Sequence, residues 1–112
     1  TMPVFIEINT GREQQKAGIF PESTVSFIRE ISNLPNIKVS GLMTMGPALD
    51  NAGEIRPFFR ETYRLFTDIQ RLEIPGVQMR YLSMGMSDTY KIAIEEGANI
   101  IRIGSRIFGP RG

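Results

Sequence analysis

Serine and glycine residues cluster at two points of the 112-residue chain where a strand-like segment gives way to a turn. The first is residues 82–88, Leu-Ser-Met-Gly-Met-Ser-Asp, and the second is residues 102–105, Arg-Ile-Gly-Ser. A strand end, a glycine turn and a serine together present backbone N–H groups and hydroxyls to one point, which can bind phosphate without a lysine-rich loop. The pattern predicts an anion site, although a capped turn without any ligand also explains residues 82–88 taken alone.

Residue types that the chain lacks narrow the chemistry further. The chain has no cysteine and no histidine, which excludes cysteine nucleophiles, thiol redox chemistry, Cys/His zinc sites and a histidine base supplied by these residues. Thirteen basic and twelve acidic residues give a net charge of +1. A balance this even provides no electrostatic case for a nucleic-acid or membrane partner, and we expect neither.

One basic stripe has to be weighed against that expectation. Arg56, Arg60 and Arg64 are spaced four residues apart within a helical pattern, as a nucleic-acid-binding helix would have them. Glu61 and Asp68 belong to the same pattern, so a solvated outer face of the helix is the better interpretation.

The hydropathy pattern predicts strands alternating with helices, which would position the two serine and glycine clusters. Strands are predicted over residues 3–9, 37–43, 80–83 and 99–103, and helices over 21–32, 54–72 and from Ser87 or Asp88 to Glu96, with Gly97 ending the last one. The order β-α-β-α-β-α-β plus a tail favours parallel strands joined by right-handed crossovers. Residues 1–112 are predicted to form one domain.

Two folds satisfy this order, an open doubly wound sheet and the half of a (β/α)8 barrel. A whole barrel needs about 250 residues, so four βα units are close to half of one. Alternation places Phe5, Glu7 and Asn9 on one strand face, and a charged Glu7 suits a barrel interior better than a sheet covered by helices. Barrels often bind phosphate after strands seven and eight, which the third and fourth strands would be in a C-terminal half. Arg102 would point inward there, to a ligand or to a carboxylate such as Glu7.

Several strings of residues together carry a resemblance to a known family. They are residues 4–9 (Val-Phe-Ile-Glu-Ile-Asn), 16–19 (Lys-Ala-Gly-Ile), 39–43 (Val-Ser-Gly-Leu-Met), 58–59 (Phe-Phe), 82–88 and 101–109 (Ile-Arg-Ile-Gly-Ser-Arg-Ile-Phe-Gly). In this order they resemble the YggS/PROSC family of pyridoxal-phosphate homeostasis proteins over essentially the whole chain. The strings at 83–88 and 102–109 are the specific ones.

The resemblance implies a barrel like that of the alanine racemase N-terminal domain, pyridoxal 5′-phosphate (PLP) as cofactor, and a role in PLP homeostasis without an assigned reaction. Carried over onto this sequence, the phosphate would be held by Ser83, Ser87 and the backbone of Met84, Gly85 and Met86, with Gly104 and Ser105 completing the cradle. Arg102 would face the pyridine nitrogen, which disfavours its protonation and makes the ring a weaker electron sink. Asn9 and Met43 would line the pocket.

The resemblance also implies that one functional group is missing. The family's Schiff-base lysine lies on the first barrel strand, in an N-terminal half that this chain lacks, and Lys16, Lys38 and Lys91 do not match it. We therefore expect no covalent PLP attachment on this chain and no enzymatic reaction from it alone. The remaining alternatives are a half-barrel assembly module that binds only phosphate or sulfate, and an open phosphate-binding sheet.

Two further expectations concern partners and location. A half-barrel needs either the missing N-terminal half-barrel or a second copy of itself, because its edges and inner face are otherwise uncovered. No membrane-length apolar run is present and the chain opens on a strand-like segment, so a cytoplasmic protein is expected.

Overall fold

Strands and helices alternate along the chain as the hydropathy pattern predicts. The computed structural model describes residues 2–13, 18–47, 52–85, 89–103 and 106–108. Its elements are β1 (Met2–Glu7), α1 (Thr24–Ile31), β2 (Ile37–Thr44), α2 (Arg56–Leu72), β3 (Val77–Met84), α3 (Tyr90–Glu95), β4 (Ile101–Ile103) and β5 (Arg106–Phe108). Single 3-10 turns, Pro21–Ser23 and Ala52–Ile55, lead into α1 and α2.

The first three strands form a parallel sheet in the order β1-β2-β3. Residue Phe5 pairs with Gly41, which pairs in turn with Tyr81. β4 follows at the edge of β3 through one parallel bridge between Ser83 and Ile100. The prediction of an α/β fold with parallel strands is thus confirmed for these elements. The predicted tail was wrong in part, since residues 106–108 form β5 and pair antiparallel with β4.

The core lies between one face of the sheet and the helices α1 and α2. Its buried members include Ile6, Ile8, Ile28, Val39, Leu42, Phe59, Phe66, Ile69, Leu82 and Met84. On α2 the buried residues Phe59, Thr62, Phe66 and Ile69 recur at intervals of three and four residues, as the buried face of an amphipathic helix requires. None of the helices in the described part of the chain is long and apolar enough to cross a membrane.

Element boundaries near β3 and β4 differ from those expected. β3 begins at Val77, three residues before the predicted start, because Gly76 turns the chain with a φ of +82° and Met79 is buried between exposed neighbours. α3 begins at Tyr90 rather than after Ser87 or Asp88, both of which lie outside the described residues. Gly97 has a φ of +109°, which confirms the predicted helix end.

Candidate anion-binding site

The carboxyl ends of the parallel strands bring Glu7, Met43 and Ser83 into one row. Glu7 pairs with Met43 across β1 and β2, and Met43 pairs with Ser83 across β2 and β3. Paired residues of neighbouring strands project from the same face, here the face opposite the helices. Two of the predicted site residues, Met43 and Ser83, are therefore adjacent.

Ser83 supplies the hydroxyl of this row, at the carboxyl end of β3. The residue is only 5% exposed, and no buried side-chain oxygen or nitrogen in the described part of the chain lacks a hydrogen-bond partner. A hydroxyl at this place can donate to or accept from a ligand oxygen. The position fits a phosphate group.

The turn after Ser83 is shaped by Gly85. Its φ is +90°, and a Cβ atom there would come within 2.7 Å of the Ala93 Cβ, so the turn lies directly against α3. The Met84 backbone N–H donates to the Ile100 carbonyl oxygen at 3.1 Å. That N–H is therefore engaged, and backbone donors for an anion have to come from residues after it.

The ends of β1 and β2 enclose a smaller cavity of about 110 Å³. Asn9 lines this cavity. Its side-chain amide is hydrogen-bonded to the backbone of Glu13, four residues along the chain. Its Nδ2 donates to the Glu13 carbonyl oxygen at 2.7 Å and its Oδ1 accepts from the Glu13 N–H at 3.2 Å. Thr44 donates to the Ile8 carbonyl oxygen at 2.8 Å. Asn9 thus shapes the loop that borders the cavity.

Arg12 fixes the same loop to two helices. Its guanidinium donates to Glu61 on α2 at 2.8 Å and to Glu22 at 3.1 Å, and also to the Thr10 carbonyl oxygen. These contacts raise the pKa of Arg12, the Glu61 hydrogen bond contributing most. Sequence reasoning missed this residue because its partners are far along the chain.

The arginine stripe on α2 also has partners that the sequence did not indicate. Arg56 donates to Glu96 at 2.7 Å and contacts Glu95, while Arg60 donates to Glu96 at 3.1 Å. The Glu96 side chain is only 12% exposed, and the hydrogen bonds from Arg60 and then Arg56 lower its pKa. The stripe is a solvated outer face, as expected, with Arg60 and Arg64 exposed, and Arg56 and Arg60 in addition join α2 to the end of α3.

Below the row of Glu7, Met43 and Ser83, two aromatic rings cover the sheet. The rings of Phe5 and Tyr81 stack with centroids 5.9 Å apart and planes at 17°, above the intervening Gly41 of β2. The Arg80 guanidinium lies 5.8 Å from the Tyr81 ring centroid. This pair forms an apolar floor beneath the candidate site.

Two other features are distant from this site. A cleft of about 430 Å³ lies between the end of α2 and the start of β3. Its lining consists of Gln70, Glu73, Gln78 and apolar residues, a set that offers no anion-binding cation. Lys38 is exposed at the start of β2 and Lys91 is exposed on α3, while Lys16 lies outside the described residues. Lys38 is five residues from Met43, roughly 16 Å along the strand.

Several predicted site residues cannot be placed around Ser83. Met86, Ser87, Gly104 and Ser105 lie outside the described residues. Arg102 belongs to β4, where its backbone pairs with Ile107.

The family model of the alanine racemase N-terminal domain matches residues 1–112. This chain belongs to that family. Among family members, the pyridoxal phosphate homeostasis protein of Aquifex aeolicus is 45% identical over 96% of this chain and 46% of its own length. The human pyridoxal phosphate homeostasis protein is 37% identical over 98% of this chain and 41% of its own length.

Solved structures agree with that family membership. A crystal structure of an unknown protein from Bifidobacterium adolescentis superposes with a TM-score of 0.87 at 33% identity, covering 94% of this chain and 42% of that one. PipY from Synechococcus elongatus with PLP bound superposes with a TM-score of 0.75 at 27% identity. The match covers 96% of this chain and 49% of the PipY chain. The chain thus spans about half the length of these members of the alanine racemase N-terminal domain family.

Proposed function

We propose that this chain binds the phosphate of PLP at the carboxyl ends of β3 and β4 and serves PLP homeostasis. The observation that carries the proposal is the position of Ser83, a serine only 5% exposed that lies beside Met43 at the carboxyl end of β3. Relatives named pyridoxal phosphate homeostasis protein and the PLP-bound PipY structure support the choice of ligand.

In this proposal the chain supplies the phosphate-binding half of the site. Ser83 and Ser87 donate hydroxyls to the phosphate, and the turn formed by Met84, Gly85 and Met86 supplies its shape and its later backbone N–H groups. Gly104 and Ser105 complete the cradle from the end of β4. Arg102 meets the pyridine nitrogen, and Met43 and Asn9 border the ring. Bound PLP supplies an aldehyde and an electron-withdrawing ring; the residues named here bind and orient it.

The proposal extends to the architecture. Residues 1–112 form the C-terminal half of a (β/α)8 barrel, a cytoplasmic domain completed by an N-terminal half-barrel or a second copy. The support is the order of the parallel strands, the fact that this chain covers about half the length of each relative, and an inner sheet face on which Phe5 is 38% exposed.

The experiment that tests the site is a titration of the chain with PLP, followed by absorbance before and after borohydride reduction. Replacing Ser87 and Ser105 together with leucine should abolish binding, because both side chains would fill the phosphate position. Ser83→Ala should weaken binding about tenfold, the effect of losing a hydrogen bond to a charged group worth about 1.5 kcal/mol. We expect no stoichiometric borohydride-trapped adduct on Lys16, Lys38 or Lys91.

The matched control is Ser26→Leu on the exposed side of α1, which should leave affinity unchanged. If the double leucine variant binds PLP as tightly as the unaltered chain, the phosphate site is elsewhere.

A second candidate function is favoured by the exposed inner face. A half-barrel that associates through Phe5 and the outer edge of β1 would act as an assembly module and bind only inorganic phosphate or sulfate. Equal affinities for PLP and inorganic phosphate in the same titration would favour this function over PLP homeostasis.

A further inference from the structure

The junction between α3 and β4 places an asparagine side chain on the edge of β3. The Asn99 Oδ1 accepts a hydrogen bond from the Leu82 N–H at 2.8 Å, and its Nδ2 donates to the Arg80 carbonyl oxygen at 2.8 Å. The Asn99 backbone N–H also donates to the Leu82 carbonyl oxygen at 3.0 Å. A side-chain amide thus takes the two β3 groups that the main chain of a neighbouring strand would otherwise occupy.

These bonds determine how β4 is aligned with β3. Beyond Asn99, the Ile100 N–H donates to the Leu82 carbonyl oxygen at 3.2 Å, and the Met84 N–H donates to the Ile100 carbonyl oxygen at 3.1 Å. β4 itself begins one residue later, so the strand meets β3 over a single bridge, at Ser83. Main-chain pairing this short specifies register weakly, and the Asn99 amide adds two bonds with a fixed direction.

A change in this alignment would alter the distance between the two strand ends. Sliding β4 by one residue moves its carboxyl end by about 3.3 Å relative to β3. Ser83 is on the bridge, and Gly104 and Ser105 follow β4 directly. The hydroxyl of one strand and the turn of the other could then no longer reach one phosphate together.

We propose that Asn99 is a positioning residue for phosphate binding: its amide fixes the register of β4 on β3, and so the distance from Ser83 at which β4 ends, just before Gly104 and Ser105. This inference rests on the proposed function and adds the residue that aligns its two halves. Asn99 does not touch the ligand.

The test compares Asn99→Asp with a matched amide elsewhere in the full chain. An aspartate keeps the size of the side chain but cannot donate to the Arg80 carbonyl oxygen, which it would repel. Asn33→Asp is the control, because the Asn33 Nδ2 likewise donates to one carbonyl oxygen, that of Arg29 at 3.2 Å, at the end of α1. The probe is pyridoxine 5′-phosphate, which carries the phosphate and no aldehyde.

We expect Asn99→Asp to weaken pyridoxine 5′-phosphate binding about tenfold, the lower end of the cost of removing a supporting hydrogen bond at a ligand site. Asn33→Asp should change the affinity for pyridoxine 5′-phosphate less than twofold. In Asn99→Ala, hydrogen exchange of the Leu82 amide should accelerate relative to its strand neighbours. Ile28→Val, buried on α1, serves as a destabilised variant with unaltered β3 and β4 contacts and should retain affinity.

The outcomes separate the two proposals. If the unaltered chain binds no pyridoxine 5′-phosphate, the proposed function is wrong, and this inference, which rests on it, is wrong too. If the unaltered chain binds pyridoxine 5′-phosphate, and Asn99→Asp and Asn33→Asp change its affinity equally, the positioning role of Asn99 is wrong. The proposed anion site is then unaffected. An equal loss in Ile28→Val, at matched thermal stability, would also overturn it, since the effect would then be general destabilisation.

Discussion

Gly41 is the residue on which the close approach of β2 and β3 depends. A Cβ atom at this position would overlap the Tyr81 carbonyl oxygen and lie 2.9 Å from the carbonyl carbon. Both atoms belong to the backbone of the neighbouring strand, which cannot move without disturbing the sheet. Gly41→Ala should therefore lower the free energy of unfolding by about 3 kcal/mol, as overpacking of a rigid site does.

Urea denaturation followed by circular dichroism measures this loss. The neighbouring Ser40→Ala is the control, since the Ser40 hydroxyl makes only a long 3.5 Å contact with the Lys38 carbonyl oxygen. It should cost less than about 1 kcal/mol. Equal stabilities of the two variants would show that the strands can separate enough to accept the methyl group.

At the scale of elements, the pairing of α3 with α2 should depend on pH. Hydrogen bonds from Arg60 and Arg56 lower the pKa of Glu96, so its carboxylate binds a proton more weakly in the folded chain than in the unfolded chain. A group with a lowered folded pKa stabilises above its ordinary value, about 4.5, and loses that contribution as pH falls through the folded value. The melting temperature should thus decline between about pH 5 and pH 3.

Glu96→Gln should be less stable at pH 7 and show a shallower decline on acidification. Thermal melts from pH 7 to pH 3 make the comparison, with Glu95→Gln as the control because Glu95 is mostly exposed and contacts Arg56 alone. If Glu96→Gln and the unaltered chain lose stability in parallel, other carboxylates are responsible for the acid sensitivity.

The elements themselves could largely be predicted from the sequence. Periodic apolar residues such as Ile28 and Phe59 identify the buried faces of α1 and α2 without knowledge of the fold. The start of β3 was predicted three residues late, although exposed Gln78 and Arg80 alternate with the less exposed Val77, Met79 and Tyr81, the pattern of a half-buried strand. An alternation of so few residues is a weaker signal than the repeated apolar face of a helix.

Local sequence indicates candidate site residues, whereas interactions with partners that are distant along the chain leave no signal in it. The serine and glycine turn after β3 follows from a short string, and Ser83 is buried beside Met43 in the structure. The partners of Arg12 and Arg56 lie 49 and 40 residues away. The Asn99 amide reaches the β3 backbone only because of the way residues 99 and 100 are aligned with β3. A single sequence does not indicate that alignment.

At the scale of the whole molecule, an uncovered sheet face predicts association. Phe5 is exposed on the inner face, and apart from one bridge between Ile8 and Ile19 no described strand pairs with the outer edge of β1. β5 pairs with β4, so the second uncovered edge among the described strands belongs to β5 and not to β4. A twofold dimer would cover these edges and the apolar face together.

Sedimentation equilibrium at micromolar concentration should give twice the mass of the chain. Phe5→Lys should shift the equilibrium to monomer, because it places a charge on the apolar face. Phe20→Lys changes a phenylalanine of similar exposure, 36% against 38%, ahead of α1 and should leave the dimer intact. A cooperatively folded, unaltered monomer under these conditions would contradict the half-barrel proposal and favour an open sheet.

The stacked ring of Tyr81 has a consequence for how the protein can be observed. The chain contains three tyrosines and no tryptophan, so its ultraviolet emission comes from tyrosine alone. Tyr81 stacks on Phe5 at the inner face, while Tyr63 lies on α2 and Tyr90 on α3. Covering the inner face changes the surroundings of Tyr81 more than those of the other two. The molecule therefore carries an intrinsic fluorophore at the surface where a partner would dock, and association can be followed by light without any label.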